Sequence, residues 1–189
     1  MAEPTVTDDV PEVSKGERAP RRGMSIFRGK EALGLFESGF MSFPEFDAED
    51  QKALAADGPR SKNILLGGHD AVLFRGEGDD GFSLVKAWFG PHYVPPRHTH
   101  GGDCLYYVMQ GSVTMGNQTL NAGDGFFVPD GAPYAYEAGP DGVTVLEFRT
   151  KTSIDMKIPG GQVERFRKSG RVADEQAEEW AKRRAEIVG

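Results

Sequence analysis

The sequence contains a single cysteine, Cys104, which excludes an internal disulfide and a zinc site made of cysteines alone. No apolar run approaches the roughly 20 residues needed to span a bilayer. The start, Met1-Ala2-Glu3-Pro4-Thr5-Val6-Thr7-Asp8-Asp9, lacks the basic and apolar stretches of a secretory signal. These absences lead to the expectation of a soluble cytoplasmic protein with no membrane partner. Basic residues are also in deficit, 22 Lys and Arg against 29 Asp and Glu, for a net charge of −7. A chain of that sign is poorly suited to tracking phosphates, so nucleic acid is set aside as a partner. No internal repeat is visible.

Glycine and proline are plentiful, 25 and 12 in 189 residues, and suggest short strands joined by tight turns. The length and a hydrophobic content of 38% suit one domain with a modest core. Residues 1–23 are almost free of apolar side chains and read as a disordered tail. Residues 24–61 read as a loop and short-helix extension, with Asp47 capping a helix over Ala48–Ala56 and Gly58 just past its end. From Lys62 the pattern becomes β-type. Ile64–Leu66, Ala71–Phe74, Phe82–Phe89, Leu105–Met109, Ser112–Met115, Phe126–Pro129, Tyr134–Glu137 and Val143–Phe148 are the expected strands. Gly116-Asn117 forms a two-residue hairpin turn, and Gly76–Gly81 and Gly139-Pro140-Asp141-Gly142 read as turns between strands. With no helix of crossover length between them, these strands favour an antiparallel sandwich or barrel over residues 62–155. Residues 156–189 form a C-terminal extension. Ala173, Ala177, Trp180, Ala181, Arg184, Ile187 and Val188 recur there at helical spacing, which predicts an amphipathic helix of about four turns, packed on the barrel wall or a partner.

The densest chemistry lies in Pro95-Pro96-Arg97-His98-Thr99-His100-Gly101-Gly102-Asp103-Cys104, continuing to Gly111. Residues two apart on a strand share a face, so His98 and His100 present two imidazoles side by side, half of a metal site. The segment resembles the first motif of the cupin superfamily, in which a His-x-His pair is followed by a Glu and then a Gly, here Gly111. Gly123, Pro129 and Gly131 stand at the spacings of the second motif, Gly, five residues, Pro-x-Gly, two residues, His. The resemblance spans roughly residues 62–150. It implies an all-β fold, the cupin double-stranded β-helix or jelly-roll barrel, here with a C-terminal amphipathic helix. It also implies a homodimer.

Two ligand positions depart from the pattern. The family's Glu position falls on Cys104 and its second-motif His position on Tyr134, so only His98 and His100 transfer as matched metal ligands. Three readings follow. A thiolate at Cys104 joins His98 and His100 around zinc, iron, copper or nickel, with Tyr134 as phenolate or hydrogen-bond partner. Alternatively the cavity is a metal-free acid–base site with a histidine as base and Tyr134 as acid. In the third, Cys104 is a small buried hydrophobe and the tyrosines line a pocket for an apolar ligand.

Strand alternation, registered on the matched Glu position, puts Cys104 and Tyr106 inward and gives Tyr134 and Tyr136 a common face. Tyr134 and Tyr106 are thus the candidate catalytic residues, and Tyr136, His92 and Arg97 the candidate substrate contacts. His69 reads as a turn residue. Glu147 reads as part of a solvated strand face, with an inward acid or substitute ligand as the alternative. The resulting expectation is a small-molecule enzyme acting on an aromatic or carbonyl-containing substrate, by dioxygenase, lyase or isomerase chemistry at a divalent transition metal. The alternative is a non-catalytic or metal-free small-molecule-binding cupin.

Overall fold

The computed structural model describes residues 23–44, 46–56, 61–78 and 81–188. The expected tail, apart from Gly23, and the helix-ending Gly58 lie outside the described residues. Among those described, six strands form one antiparallel sheet: β1 (Gly68–Arg75), β2 (Ser83–Phe89), β3 (Cys104–Met115), β4 (Gln118–Asn121), β5 (Gly125–Val128) and β6 (Glu137–Arg149). Their order is β1-β2-β6-β3-β4, and β5 pairs with the first half of β3. The sheet curls into a barrel-like fold because β3 and β6 bend where they cross. There the step from Gly111 to Val113 in β3 spans Ala138 to Val143 in β6. Gly111 has φ of 75°, and a Cβ on it would lie 2.0 Å from the Gly142 carbonyl oxygen, so only glycine lets the strands approach here. The expected turn Gly139–Gly142 is therefore a bulge inside β6.

Strand alternation sets the core. Ser83, Val85 and Ala87 of β2, Cys104, Tyr106 and Val108 of β3, and Val143, Val145, Glu147 and Arg149 of β6 all point inward and are buried. Glu147 is thus part of the interior and not of a solvated face.

Helix α1 (Ala48–Ala56) starts as its sequence predicts, with Asp47 Oδ1 accepting from the backbone N–H of Glu49 and Asp50, both at 3.0 Å. Ile64–Leu66 differs from expectation. It lies in a 3₁₀ helix over Lys62–Gly67, capped by the Ser61 hydroxyl, because a three-residue apolar run carries no periodicity to separate helix from strand. His69 is in β1 opposite Trp88 and not in a turn. Tyr134 makes only an isolated bridge with His98, and β6 begins at Glu137.

The C-terminal helix α2 (Val163–Val188) has 26 residues, nearly twice the predicted length. Its first turns continue the apolar stripe only through Val163 and Phe166 and are held by polar contacts as well. Arg165 donates to the carbonyls of Pro95 at 2.6 Å and Tyr136 at 2.8 Å, and Lys168 pairs with Glu137 at 2.7 Å. Farther along, Trp180 is 1% exposed, packs on Tyr93 and donates its indole N–H to the Pro91 carbonyl at 3.0 Å. A Cβ on Gly90 would sit 2.3 Å from that ring, so the glycine shapes the socket. Burying such a ring is worth about 3 kcal/mol, which fixes α2 on the barrel wall. Among the described residues, no helix is long and apolar enough to cross a membrane.

Candidate functional site

The segment that leaves β2 passes through Pro95-Pro96 and returns along the barrel as His98-Thr99-His100. His98 exchanges backbone hydrogen bonds with Tyr134, and Thr99 exchanges them with Lys157, so the two histidines are pinned from both sides. Period-2 alternation turns His98 and His100 to the same face, and both are buried. Their ring centroids lie 4.8 Å apart, and the Tyr134 ring is 4.4 Å from that of His98.

The tautomers follow from the partners. His98 Nδ1 contacts the Pro96 carbonyl oxygen at 2.8 Å, and His100 Nδ1 contacts that of Asp155 at 2.5 Å. A carbonyl only accepts, so each Nδ1 carries the proton and each Nε2 presents a lone pair. Burial pushes both imidazoles down to a pKa of about 4; the neighbouring His100 adds to this at His98, and the Arg149 charge at His100. Both rings are neutral at physiological pH.

The pairings Tyr106↔Glu147 and Cys104↔Arg149 place a polar network beside the imidazoles. Arg149 donates through Nε at 3.0 Å and Nη2 at 2.6 Å to Glu147 Oε2, and through Nη2 at 3.0 Å to the Tyr106 hydroxyl. The Tyr106 hydroxyl is hydrogen-bonded in turn to that of Tyr134. Burial opposes the guanidinium charge, and the Glu147 carboxylate is the largest of the neighbouring effects that restore it. Arg149 Nη1 is the one sealed side-chain polar atom without a hydrogen-bond partner among the described residues. Burial raises the hydroxyls of Tyr106, Tyr134 and Tyr136, which therefore stay protonated as donors.

The structure brings together His98, His100, Tyr134, Tyr106 and Cys104, with Tyr136 continuing the wall at 6.2 Å from the Tyr134 ring. It does not bring His92 or Arg97 there; both are exposed. His92 has φ of 60° and lines a separate cavity with Glu137, Lys168 and Glu175, because the chain leaves the sheet before Pro95 and the strand parity stops counting. Arg97 exchanges backbone bonds with the Gln162 side chain at 2.7 and 2.9 Å. Arg149 is the residue that sequence reasoning missed, and Glu147 takes the inward place carried only as its alternative. The available signal was their parity with Val143 and Val145, two opposite charges continuing an otherwise apolar inward row.

The donor set can be weighed against a metal ion. The imidazoles fit as two ligands, since their bonded Nδ1 atoms leave Nε2 oriented and unprotonated. Burial pushes the Cys104 thiol up to about 12, so without a metal it is protonated, and Glu147 is engaged by Arg149. Among the described residues no group of three or more His, Cys, Asp or Glu is gathered to hold a metal. Among the described residues the matched hold is the pair His98 and His100.

No protein-family model matches the chain, and no curated protein matches it. Solved structures do resemble it. KdgF from Halomonas sp. is 24% identical over 45% of this chain and 82% of its own, with a TM-score of 0.37. An RmlC-like cupin from Shewanella frigidimarina is 26% identical over 46% of this chain and 78% of its own, with a TM-score of 0.39. The DMSP lyase DddQ from Ruegeria pomeroyi is 21% identical over 49% of this chain and 52% of its own, with a TM-score of 0.42.

Proposed function

We propose that this cupin-like barrel binds and transforms a small aromatic or carbonyl-containing molecule at a site built on His98 and His100. The observation that carries the reading is two neutral imidazoles with bare Nε2 atoms beside a hydroxyl pair anchored on a buried ion pair. Arg149 can only donate, so the Tyr106 oxygen accepts from it and the Tyr106 proton is directed to Tyr134. Tyr134 then has its own proton to offer a substrate carbonyl, and an Nε2 can accept a proton from the carbon beside it. That division suits lyase or isomerase chemistry. Tyr136 and Phe126 supply aromatic walls, while His92 and Arg97 take no part.

A second reading is favoured by the fixed Nδ1–H tautomers: His98 and His100 hold a divalent zinc, iron, copper or nickel ion through Nε2. The ion would act as a Lewis acid on the same carbonyl.

The test is metal content per chain by inductively coupled plasma mass spectrometry on untagged protein, followed by thermal-shift screening of aromatic aldehydes and ketones. About one equivalent of metal supports the second reading, and ligand shifts on metal-free protein support the first. In either case H98A/H100A, still folded by circular dichroism, is expected to lose at least about 100-fold in ligand affinity or turnover. Binding and activity that survive the double substitution would sink the site. Binding without turnover of any ligand found would make the barrel a non-catalytic receptor.

The outer face of the sheet bears on assembly. Register aligns Leu84, Phe148, Leu105 and Phe127 in one row across four strands, with Leu146 and Tyr107 in the next. Phe127 is 58% and Leu105 50% exposed. Continuous apolar faces of this kind mark interfaces, and we assign this one to a second copy of the chain. Light scattering should give a dimer mass, with L105E/F148E monomeric; a wild-type monomer at micromolar concentration would refute the assignment.

A further inference from the structure

A half-open cleft lies outside the barrel, between the N-terminal extension and α2. Its volume is about 620 Å³, within the range of roughly 300–1,000 Å³ that small-molecule sites occupy. Two pairs of aromatic rings frame it. Phe36 and Phe43 stack face to face at 4.2 Å, and Phe46 meets Phe166 at 5.8 Å. The helix contributes Gly170 to the floor and Arg171 beside it.

Gly170 is the informative residue. It lies inside α2, where glycine costs about 1 kcal/mol relative to alanine. Its backbone does not need glycine, having no positive φ, and a Cβ placed there would meet no atom within 4 Å. Nothing within the described chain requires the missing side chain. The space it leaves opens onto the aromatic cavity.

We propose that this cavity binds an aromatic carboxylate, its ring lying over Gly170 between the phenylalanine pairs and its carboxylate directed to Arg171. The charges at that end agree. Arg171 is exposed, and the nearby Asp174 carboxylate is engaged by the Ser61 hydroxyl at 2.6 Å and the Asn63 amide at 3.0 Å. Flat aromatic ligands suit stacked ring walls, and they lose little conformational entropy on entering. The site uses none of the barrel's imidazoles or hydroxyls.

The probe is 1-naphthoate, titrated by calorimetry into the full chain at neutral pH. Binding near one equivalent is expected. G170L should weaken it at least tenfold without lowering the thermal midpoint, since leucine fills the space and favours the helix. R171Q should weaken 1-naphthoate and leave uncharged 1-naphthalenemethanol unchanged, and H98A/H100A should bind both as the wild type does. Amide chemical shifts perturbed by 1-naphthoate should cluster around Gly170, a readout that needs no variant. Absence of binding at millimolar probe, undiminished binding by G170L, or loss of binding in H98A/H100A would each overturn the proposal. The last of these would place the probe in the barrel.

Discussion

R149M is expected to destabilise the fold by about 3–5 kcal/mol, read as a lower urea midpoint, whereas E147L/R149M should recover most of that loss. Both charged side chains are taken out of water, at 3% and 5% relative exposure. Moving them there is costly, and the cost is offset only because Arg149 places two donors on Glu147 Oε2 and one on Tyr106. Removing the guanidinium leaves Glu147 buried without its cationic partner, beside Val85, Val145 and Tyr106. Removing both charges also removes the need to desolvate either, and apolar residues of similar volume fill the row. The double variant should nevertheless lose ligand binding, because the Tyr106–Tyr134 pair no longer has its anchoring donor. A single variant within about 1 kcal/mol of wild type would show that the pair contributes nothing to the fold. A double variant that binds ligand normally would remove the pair from the site.

That pair also shows where sequence reading stops. The barrel was legible because its signals are local: alternation along Cys104–Val108 and Val143–Phe148, hairpin glycines, and the Asp47 cap each depend on a few neighbouring residues. The histidine pair was legible for the same reason, two residues of one type at strand spacing. The buried pair was less so: a charge on a strand is ordinarily solvated, so Glu147 stood inward only as an alternative and Arg149 went unnoticed, and the cross-strand register to Tyr106 and Cys104 brings the two together. His92 went the other way. Expected as a substrate contact, it lies outside the site because Pro95-Pro96 interrupt the strand between it and His98. The length of α2 escaped notice for a third reason. Only Val163 and Phe166 carry the apolar stripe into its first two turns, and Arg165 and Lys168 hold them through long-range bonds to Pro95, Tyr136 and Glu137.

Acid should unfold this protein earlier than its carboxylates alone would require. His98 and His100 have pKa values near 4 in the folded chain, against 6.5 for an unperturbed histidine. Above pH 6.5 both are neutral whether the chain is folded or not, and they contribute no pH dependence. As pH falls from 6.5 towards 4 the unfolded chain takes up two protons that the folded chain refuses, so stability declines across that window and the loss is complete below it. The limit is on the order of 3 kcal/mol per histidine. Asp155, held low by the Gly101 N–H, adds a loss only below its own unperturbed value of 3.8. Asp70, raised by burial, acts in the opposite sense and flattens the lower part of the curve. Urea midpoints of chelator-treated protein at pH 7, 6, 5 and 4.5 should therefore fall steadily, and those of H98N/H100N should fall less, keeping the share of His69, which burial also holds low. A wild-type curve as flat as that of the variant would mean that the imidazoles already accept protons in the folded state, and the neutral pair on which the site is built would be lost with it.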